Sequence, residues 1–306
     1  MPTNKTPVIE HLFNDHLAGK FPNGIVSQSD VVAAIRATSA DLSTSNPANF
    51  LKDIIRKDTA NTHWPASLVS SGMGARQRYG NKRVFQFVPF APGQTQPFPD
   101  RFLPNASTPV HQLQSATVPF AARQLGRKEE SWLMQVVVEL RVIETQLSVF
   151  SPLKKRLRDV THLQMSMKTQ PEIDAVFLVS HGASHDILKG SDLFSVITCE
   201  AKQLGERILE DQIREQVAKA FKETKKIARP TIGTIKPMAV QMREVQLPSG
   251  PERRIYVVEF QRISRKTFET YYANTKTQPE RLYDMPLRAV STAFHIPTPS
   301  VRGINL

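Results

Sequence analysis

Cys199 is the only cysteine in the 306 residues. A single thiol excludes an intramolecular disulfide and a zinc site built from several cysteines. No apolar run approaches the roughly 20 residues that span a bilayer. The pattern GxxxxGK[ST] is missing, which removes a P-loop nucleotide site. The opening MPTNKTPVIEHLF lacks the apolar core of a signal peptide, so a cytoplasmic location is the expectation. Acidic residues are also scarce: 28 Asp and Glu face 40 Lys and Arg, a formal net charge of +12. Such an excess points to an anionic partner, either nucleic acid or an anionic membrane surface. No single helix concentrates the basic residues as a membrane-surface helix would, so nucleic acid, and no membrane, is the expectation. The chain is 40% apolar, enough for a sizeable core and for two domains.

The stretch around which the rest is organised is PEIDAVFLVSHGASHDILKGSDLFSVITCEAK, Pro171 to Lys202. Asp174 opens an apolar run to Val179, a polar loop spans Ser180 to Asp192, and a second apolar run ends in Glu200 and Lys202. The pattern predicts a β-hairpin that carries charged groups to one end of a sheet. Strand side chains alternate between faces, so Glu200 and Lys202 share one. A same-face carboxylate and ammonium at the end of a hydrophobic strand are either a paired salt bridge or functional groups. Two carboxylates and a lysine can converge on one hard divalent cation and a water, and oxygen ligands suit Mg²⁺.

Pro171-Glu172-Ile173-Asp174 and Glu200-Ala201-Lys202 resemble the two acidic motifs of the PD-(D/E)XK nuclease superfamily, which includes many restriction endonucleases. The proline does not immediately precede the aspartate, and a second Glu-x-Lys triplet, Glu223-Thr224-Lys225, lies on a helical stretch. The resemblance implies an α/β (α+β) fold with an αβββαβ core over roughly residues 125 to 260. It implies that Asp174 and Glu200 hold Mg²⁺, with Mn²⁺ able to substitute, and that Lys202 positions the attacking water. It also implies an extra acid from the first core helix, for which Glu144 is the first choice and Glu139 the second. An acid paired with Arg141 is the other reading of Glu144. Gln212 and Gln216 stack on one helix face, and in this superfamily such glutamines often stand near the active site.

The amino-terminal part reads as three short helices and a basic hairpin. Val8, Leu12 and Leu17 mark the first helix, and Ser27 or Ser29 caps the second, with Val31, Val32 and Ile35 apolar. Asn46-Pro47 starts the third. This order resembles a winged helix-turn-helix domain, which implies contacts to DNA from Lys52, Arg56 and Lys57 on the third helix. Arg76, Arg78, Lys82 and Arg83 would lie on the wing. A solvated basic face is the alternative.

Residues 91–120 carry six prolines and read as a linker or an extended strap. The domains expected are therefore 1–90 and 121–306. Ala121 to Phe150 follows helical spacing, although its second part also alternates as a strand would. Leu157 to Lys168 reads as a strand, with Lys168 able to reach the site or a phosphate. The histidines His181 and His185, with Asp186, fall on a loop, so solvated or DNA-facing positions are expected for them. Gly205 to Ile227 is an amphipathic helix with a basic end. Thr231 to Val245 and Arg254 to Phe260 read as strands, and the tail from Pro286 as a strap.

The function these readings imply is a Mg²⁺-dependent endonuclease of double-stranded DNA in restriction or phage defence, working as a homodimer. A DNA-binding regulator with an inactive nuclease fold and a nuclease of RNA or single strands are the rivals.

Overall fold

The computed structural model describes residues 4–127, 129–167, 172–182, 194–225, 232–273 and 279–305. Lys168, Pro171, His185 and Asp186 lie outside the described residues. The chain is mixed α/β, with ten α-helices among the described residues. It divides into two compact units, residues 1–101 with 205–211, and residues 102–204 with 212–306.

The first unit contains α1 (Thr6–Leu17), β1 (Ile25–Ser27), α2 (Gln28–Ala37), α3 (Lys52–Ile55), α4 (Ala60–His63), α5 (Ala66–Ser70), β2 (Met73–Gln77) and β3 (Arg83–Pro89). The strands form a three-stranded sheet in the order β1-β3-β2, antiparallel throughout. Ser27 starts α2 through a reciprocal capping box: Ser27 Oγ accepts from the Asp30 N–H, and Asp30 accepts from the Ser27 N–H at 2.8 Å. Val8, Ile9 and Leu12 of α1 bury against Val31 and Ile35 of α2 and against Phe85 and Phe87 of β3. Gly24 precedes β1 at φ +69°, and a Cβ there would meet the Phe87 carbonyl at 2.9 Å, so a side chain is excluded twice over.

The helix expected after Asn46 is instead a 3₁₀ turn, Pro47–Asn49, followed by the four residues of α3. The Asn46 side chain makes no capping hydrogen bond, and four residues give the turn little helical cooperativity. Phe50, Leu51, Ile54 and Ile55 are all buried, so packing holds this segment rather than its helix.

The second unit contains β4 (Val110–Gln114), α6 (Phe120–Leu125), α7 (Glu130–Glu139), α8 (Val142–Thr145), β5 (Leu157–Met167), β6 (Ile173–His181), β7 (Phe194–Lys202), all but the first two residues of α9 (Glu210–Thr224), β8 (Thr234–Leu247), β9 (Gly250–Phe260), β10 (Ile263–Ser264), α10 (Arg265–Tyr272) and β11 (Ala289–Thr298). One mixed sheet runs in the order β4-β11-β9-β8-β7-β6-β5, with β10 paired to β8. The β7–β8 and β11–β4 pairs are parallel and the others antiparallel.

Both faces of the central strands are covered, which is why β6 and β7 read as nearly continuous apolar runs. Ala175, Phe177, Val179, Ile197, Cys199 and Val240 pack on one face against Leu133, Val137 and Ile143 from α7 and α8. Val176, Val196 and Ile235 pack on the other against Val217 and Phe221 of α9 and Phe268 of α10.

Three sequence expectations change here. The helix expected over Ala121 to Phe150 is broken into α6, α7, α8 and a π turn, Gln146–Phe150. Arg141 takes left-handed angles, φ 50° and ψ 43°, and separates α7 from α8. The proline-rich stretch is shared between the units, and its residues 110–114 form β4. The carboxy-terminal tail is not a strap: β11 inserts between β9 and β4, with Ala293 and His295 fully buried.

Candidate active site

The register of β6 on β7 pairs Ala175 with Cys199, and the next positions outward are Asp174 and Glu200. Directly opposed residues of an antiparallel pair share a face, so Asp174 stands with Glu200 and Lys202. Cys199 and Ala201 point the other way, into the α7 and α8 core. Burial, with Asp174 and Glu200 nearby, pushes the Cys199 thiol well up, so it is a packing residue without thiolate character.

Glu200 is 1% exposed, and a buried carboxylate must be paired and hydrogen-bonded. Both requirements are met. Glu200 Oε1 accepts from Lys202 Nζ and from Gln212 Nε2, and Glu200 Oε2 accepts from Gln216 Nε2. Gln212 and Gln216 are one turn apart on α9, so both amides reach the same carboxylate. Gln216 Nε2 also donates to the Glu172 carbonyl at 2.7 Å, tying the start of β6 to α9.

With their N–H groups committed to Glu200, the amide oxygens of the two glutamines are left over. Gln212 Oε1 and Gln216 Oε1 are buried and accept no hydrogen bond among the described residues. Such orphaned acceptors are costly unless donors arrive from a ligand or water.

Asp174 Oδ2 accepts the Ala201 N–H at 2.7 Å. Burial first, and Glu200 second, push its carboxyl up to about 8, against the lowering pull of the Ala201 N–H and of Lys202. Burial alone would lower Lys202, but Glu200, Glu130 and Asp174 together hold it above its ordinary value. Lys202 is therefore a fixed cation, and Asp174 carries a proton at neutral pH. A cation arriving beside Asp174 would displace that proton.

Glu130 is a site acid that sequence reasoning missed. It opens α7, and its Oε1 lies 3.9 Å from Lys202 Nζ. Its charge also acts on Asp174. Glu144 stands elsewhere: the charges that act on it are Arg141 and Asp159, and burial raises its carboxyl. The break at Arg141 is the reason, because Glu144 then belongs to α8 rather than to a continuous helix. A signal for Glu130 was available, since acids are favoured in the first turn of a helix, but it required the helix to start at residue 130.

Among the described residues no group of three or more His, Cys, Asp or Glu side chains gathers as a metal cluster. Two carboxylates are the usual protein share for Mg²⁺, which keeps several waters and takes phosphate oxygens as further ligands. The raised Asp174 and the two orphaned amide oxygens suit that arrangement, because the amides can accept from waters of the ion's shell.

The other residues expected to touch DNA are spread through the first unit. Arg56 Nε donates to Glu206 Oε1 at 2.8 Å, and Lys57 Nζ lies 3.7 Å from the same oxygen. Lys52 is half-buried and Lys82 exposed at the tip of the β2–β3 hairpin. Arg83 donates to the carbonyls of Tyr79 and Gly80 and closes that hairpin. Arg76 lies 3.3 Å from Asp211. Arg78 is a correction. It is 3% exposed and bonded to Gln86, so it braces the hairpin from inside instead of facing a ligand. His181, expected on a loop in a solvated or DNA-facing position, is instead a buried residue at the end of β6, with Nε2 2.9 Å from Ser195 Oγ. The second Glu-x-Lys triplet is an ordinary helix end, where Glu223 pairs with Lys219 at 3.2 Å.

No protein-family model matches the chain, and neither a curated protein nor a solved structure matches it. No helix among the described residues is long and apolar enough to cross a membrane.

Proposed function

We propose that the chain is a Mg²⁺-dependent endonuclease resembling the PD-(D/E)XK superfamily. The observation that carries this reading is the meeting of Asp174, Glu200 and Lys202 on one face at one end of the sheet. The order α7-α8-β5-β6-β7-α9-β8-β9 supports it, since it runs as the αβββαβ core would. The excess of basic charge supports a nucleic-acid substrate.

In this reading Asp174 and Glu200 hold the ion, with Mn²⁺ able to replace Mg²⁺. The ion supplies charge stabilisation at the scissile phosphodiester. Lys202, kept protonated by Glu200, Glu130 and Asp174, orients the attacking water and stabilises charge on the phosphorane oxygens. Gln212 and Gln216 fix the Glu200 carboxylate in one orientation, and Glu130 is a second acid beside the Lys202 ammonium. These are positioning roles. Residues 1–90 act as a winged-helix-like DNA-binding part, with Lys52, Lys82 and Arg83 its most direct candidates for phosphate contact. Double-strand cleavage needs two such sites, which a homodimer supplies.

A second reading has one observation in its favour. Glu200 already has Lys202 and two amides as partners, which would also suit an inactive nuclease fold in a DNA-binding regulator.

The test is incubation of methylated and unmethylated plasmid with Mg²⁺ or with EDTA, beside Lys202→Ala. The expected result is fragmentation that needs Mg²⁺ and falls more than about 100-fold in rate in the variant. Tight DNA binding with no cleavage under any condition would replace the nuclease with the regulator.

A further inference from the structure

The strands β8 and β9 are longer than their neighbours. β7 pairs with β8 as far as Lys202 and Gln241, and β11 pairs with β9 as far as His295 and Ile255. Beyond those points the β8–β9 register continues, through Arg243 with Arg254 and Glu244 with Arg253, to Leu247 with Gly250. Residues 242–254 therefore leave the sheet as a two-stranded ribbon. Because β7 and β8 are parallel, the ribbon leaves from the end of the sheet that carries Glu200 and Lys202.

Face follows from register. Glu200 pairs with Ala239 and Lys202 with Gln241, so Gln241 shares their face, and Arg243, two residues on, shares it too. Gln241 pairs with Tyr256 and Arg243 with Arg254, which puts Arg254 on that face as well. Strand spacing of about 4.8 Å and a rise of about 3.3 Å per residue place the Arg243 Cα roughly 8 Å from that of Lys202. Arg253 is the contrast: it lies on the same ribbon but on the opposite face.

The two guanidinium groups are held in place rather than trailing in solvent. Arg243 Nε donates to Gln241 Oε1 at 2.9 Å. Arg254 donates to Glu252 and lies over the Phe294 ring, 5.6 Å from its centroid. Both residues are half-buried. A planar guanidinium fixed on an aromatic face or an amide loses little side-chain freedom on binding a phosphate.

We propose that Arg243 and Arg254 form a phosphate-binding clamp for the backbone of the nucleic-acid strand being cut. The clamp takes phosphodiesters that neighbour the one addressed by Lys202. This rests on the nuclease reading of the Asp174, Glu200 and Lys202 site. Arg254 exchanges its Glu252 partner for phosphate when the strand arrives, and Arg243 binds the neighbouring phosphate from the same face. The clamp reads the backbone and not the bases, so it contributes affinity and register without sequence preference.

The experiment measures binding of labelled duplex and single-stranded DNA by fluorescence anisotropy at several salt concentrations. It uses full-length Lys202→Ala protein and, in that background, R243Q/R254Q, R253Q and R243K/R254K. With neither guanidinium present to bind a phosphate, the slope of log affinity against log salt falls by about 1.8 for duplex or about 1.4 for single strands. Binding weakens about tenfold or more at moderate salt, R253Q stays within twofold, and the lysine pair recovers most of the slope. A matching thermal melt for each variant shows that the fold is kept. An unchanged slope in R243Q/R254Q overturns the clamp, as does an equal loss in R253Q. The nuclease reading is judged separately, by Mg²⁺-dependent cleavage in the wild type. Cleavage with an unchanged slope removes the clamp alone, and a wild type that neither binds nor cuts removes both.

Discussion

Asp174 takes the Ala201 backbone N–H at 2.7 Å and so ties the start of β6 to the point on β7 between Glu200 and Lys202. This bond adds to the β6–β7 register, which puts Asp174 opposite Glu200. It also holds a carboxylate beside a second carboxylate in a partly dry site, and that placement costs stability.

Asp174 shows this cost as a dependence on pH. Its carboxyl is pushed up to about 8 in the fold from an ordinary 3.8. Between those values the folded chain holds a proton that the unfolded chain releases, so stability falls as pH rises through this window. Asp174→Asn keeps an acceptor for Ala201 and has no charge to bury. It should match the wild type near pH 4 and become more stable towards pH 8, by several kcal/mol, on the order of 5. Urea melts at several pH values test this, and a constant difference across the range would contradict it.

Binding of a divalent cation should release that proton. At pH 7 Mn²⁺ or Mg²⁺ should displace about one proton, and its affinity should rise about tenfold per pH unit up to pH 8 before levelling. Titration calorimetry in buffers of different ionisation heat reads the proton count directly. Asp174→Asn should abolish both the binding and the buffer dependence. Binding that ignores pH between 6 and 8 would place the ion away from Asp174.

Glu130 and Glu144 should behave as different kinds of acid. Glu130→Gln removes a charge that holds Lys202 protonated, so the pH optimum for cleavage should change and the rate fall about tenfold or more. Glu144→Gln should leave the rate within twofold and stabilise the fold, because the Glu144 carboxyl is raised by burial and its Oε2 is buried without a hydrogen bond. The reverse ranking would restore Glu144 to the site.

A second buried charge pair lies in the same unit, on the face of the sheet that packs on α7 and α8. Lys236 donates to Glu259, which also accepts from Ser151 at 2.7 Å and from Ser291. Both charged residues are almost fully buried. Lys236→Met leaves Glu259 buried without its cation and should cost about 3–5 kcal/mol. The double variant Lys236→Met/Glu259→Met should cost less than the sum of the single changes. Additive losses in denaturant melts would show that the pair is not coupled.

The hairpin of β6 and β7 was legible because its pattern is local. Two apolar runs, a polar loop between them and a charged end are all visible in Pro171 to Lys202. The buried stripe of α9 was legible for the same reason, through its 3.6-residue period. The capping box at Ser27 needs only a serine and an acid three residues later. The broken helix over residues 121–150 was less legible, since Arg141 has no residue-type signal for left-handed angles. Nor did the tail announce β11, whose hydrogen-bond partners on β9 and β4 are remote in sequence.

The sequence by itself determined that Glu200 and Lys202 share a face, because a strand alternates with period two. It also determined the basic balance and the stacking of Gln212 with Gln216. Only the tertiary structure decided that Asp174 stands opposite Glu200, that Glu130 rather than Glu144 reaches Lys202, and that Arg243 and Arg254 extend the same face. Those relationships depend on register between strands and on where a helix breaks. Both are set by packing between segments far apart in the chain, and no local period records them.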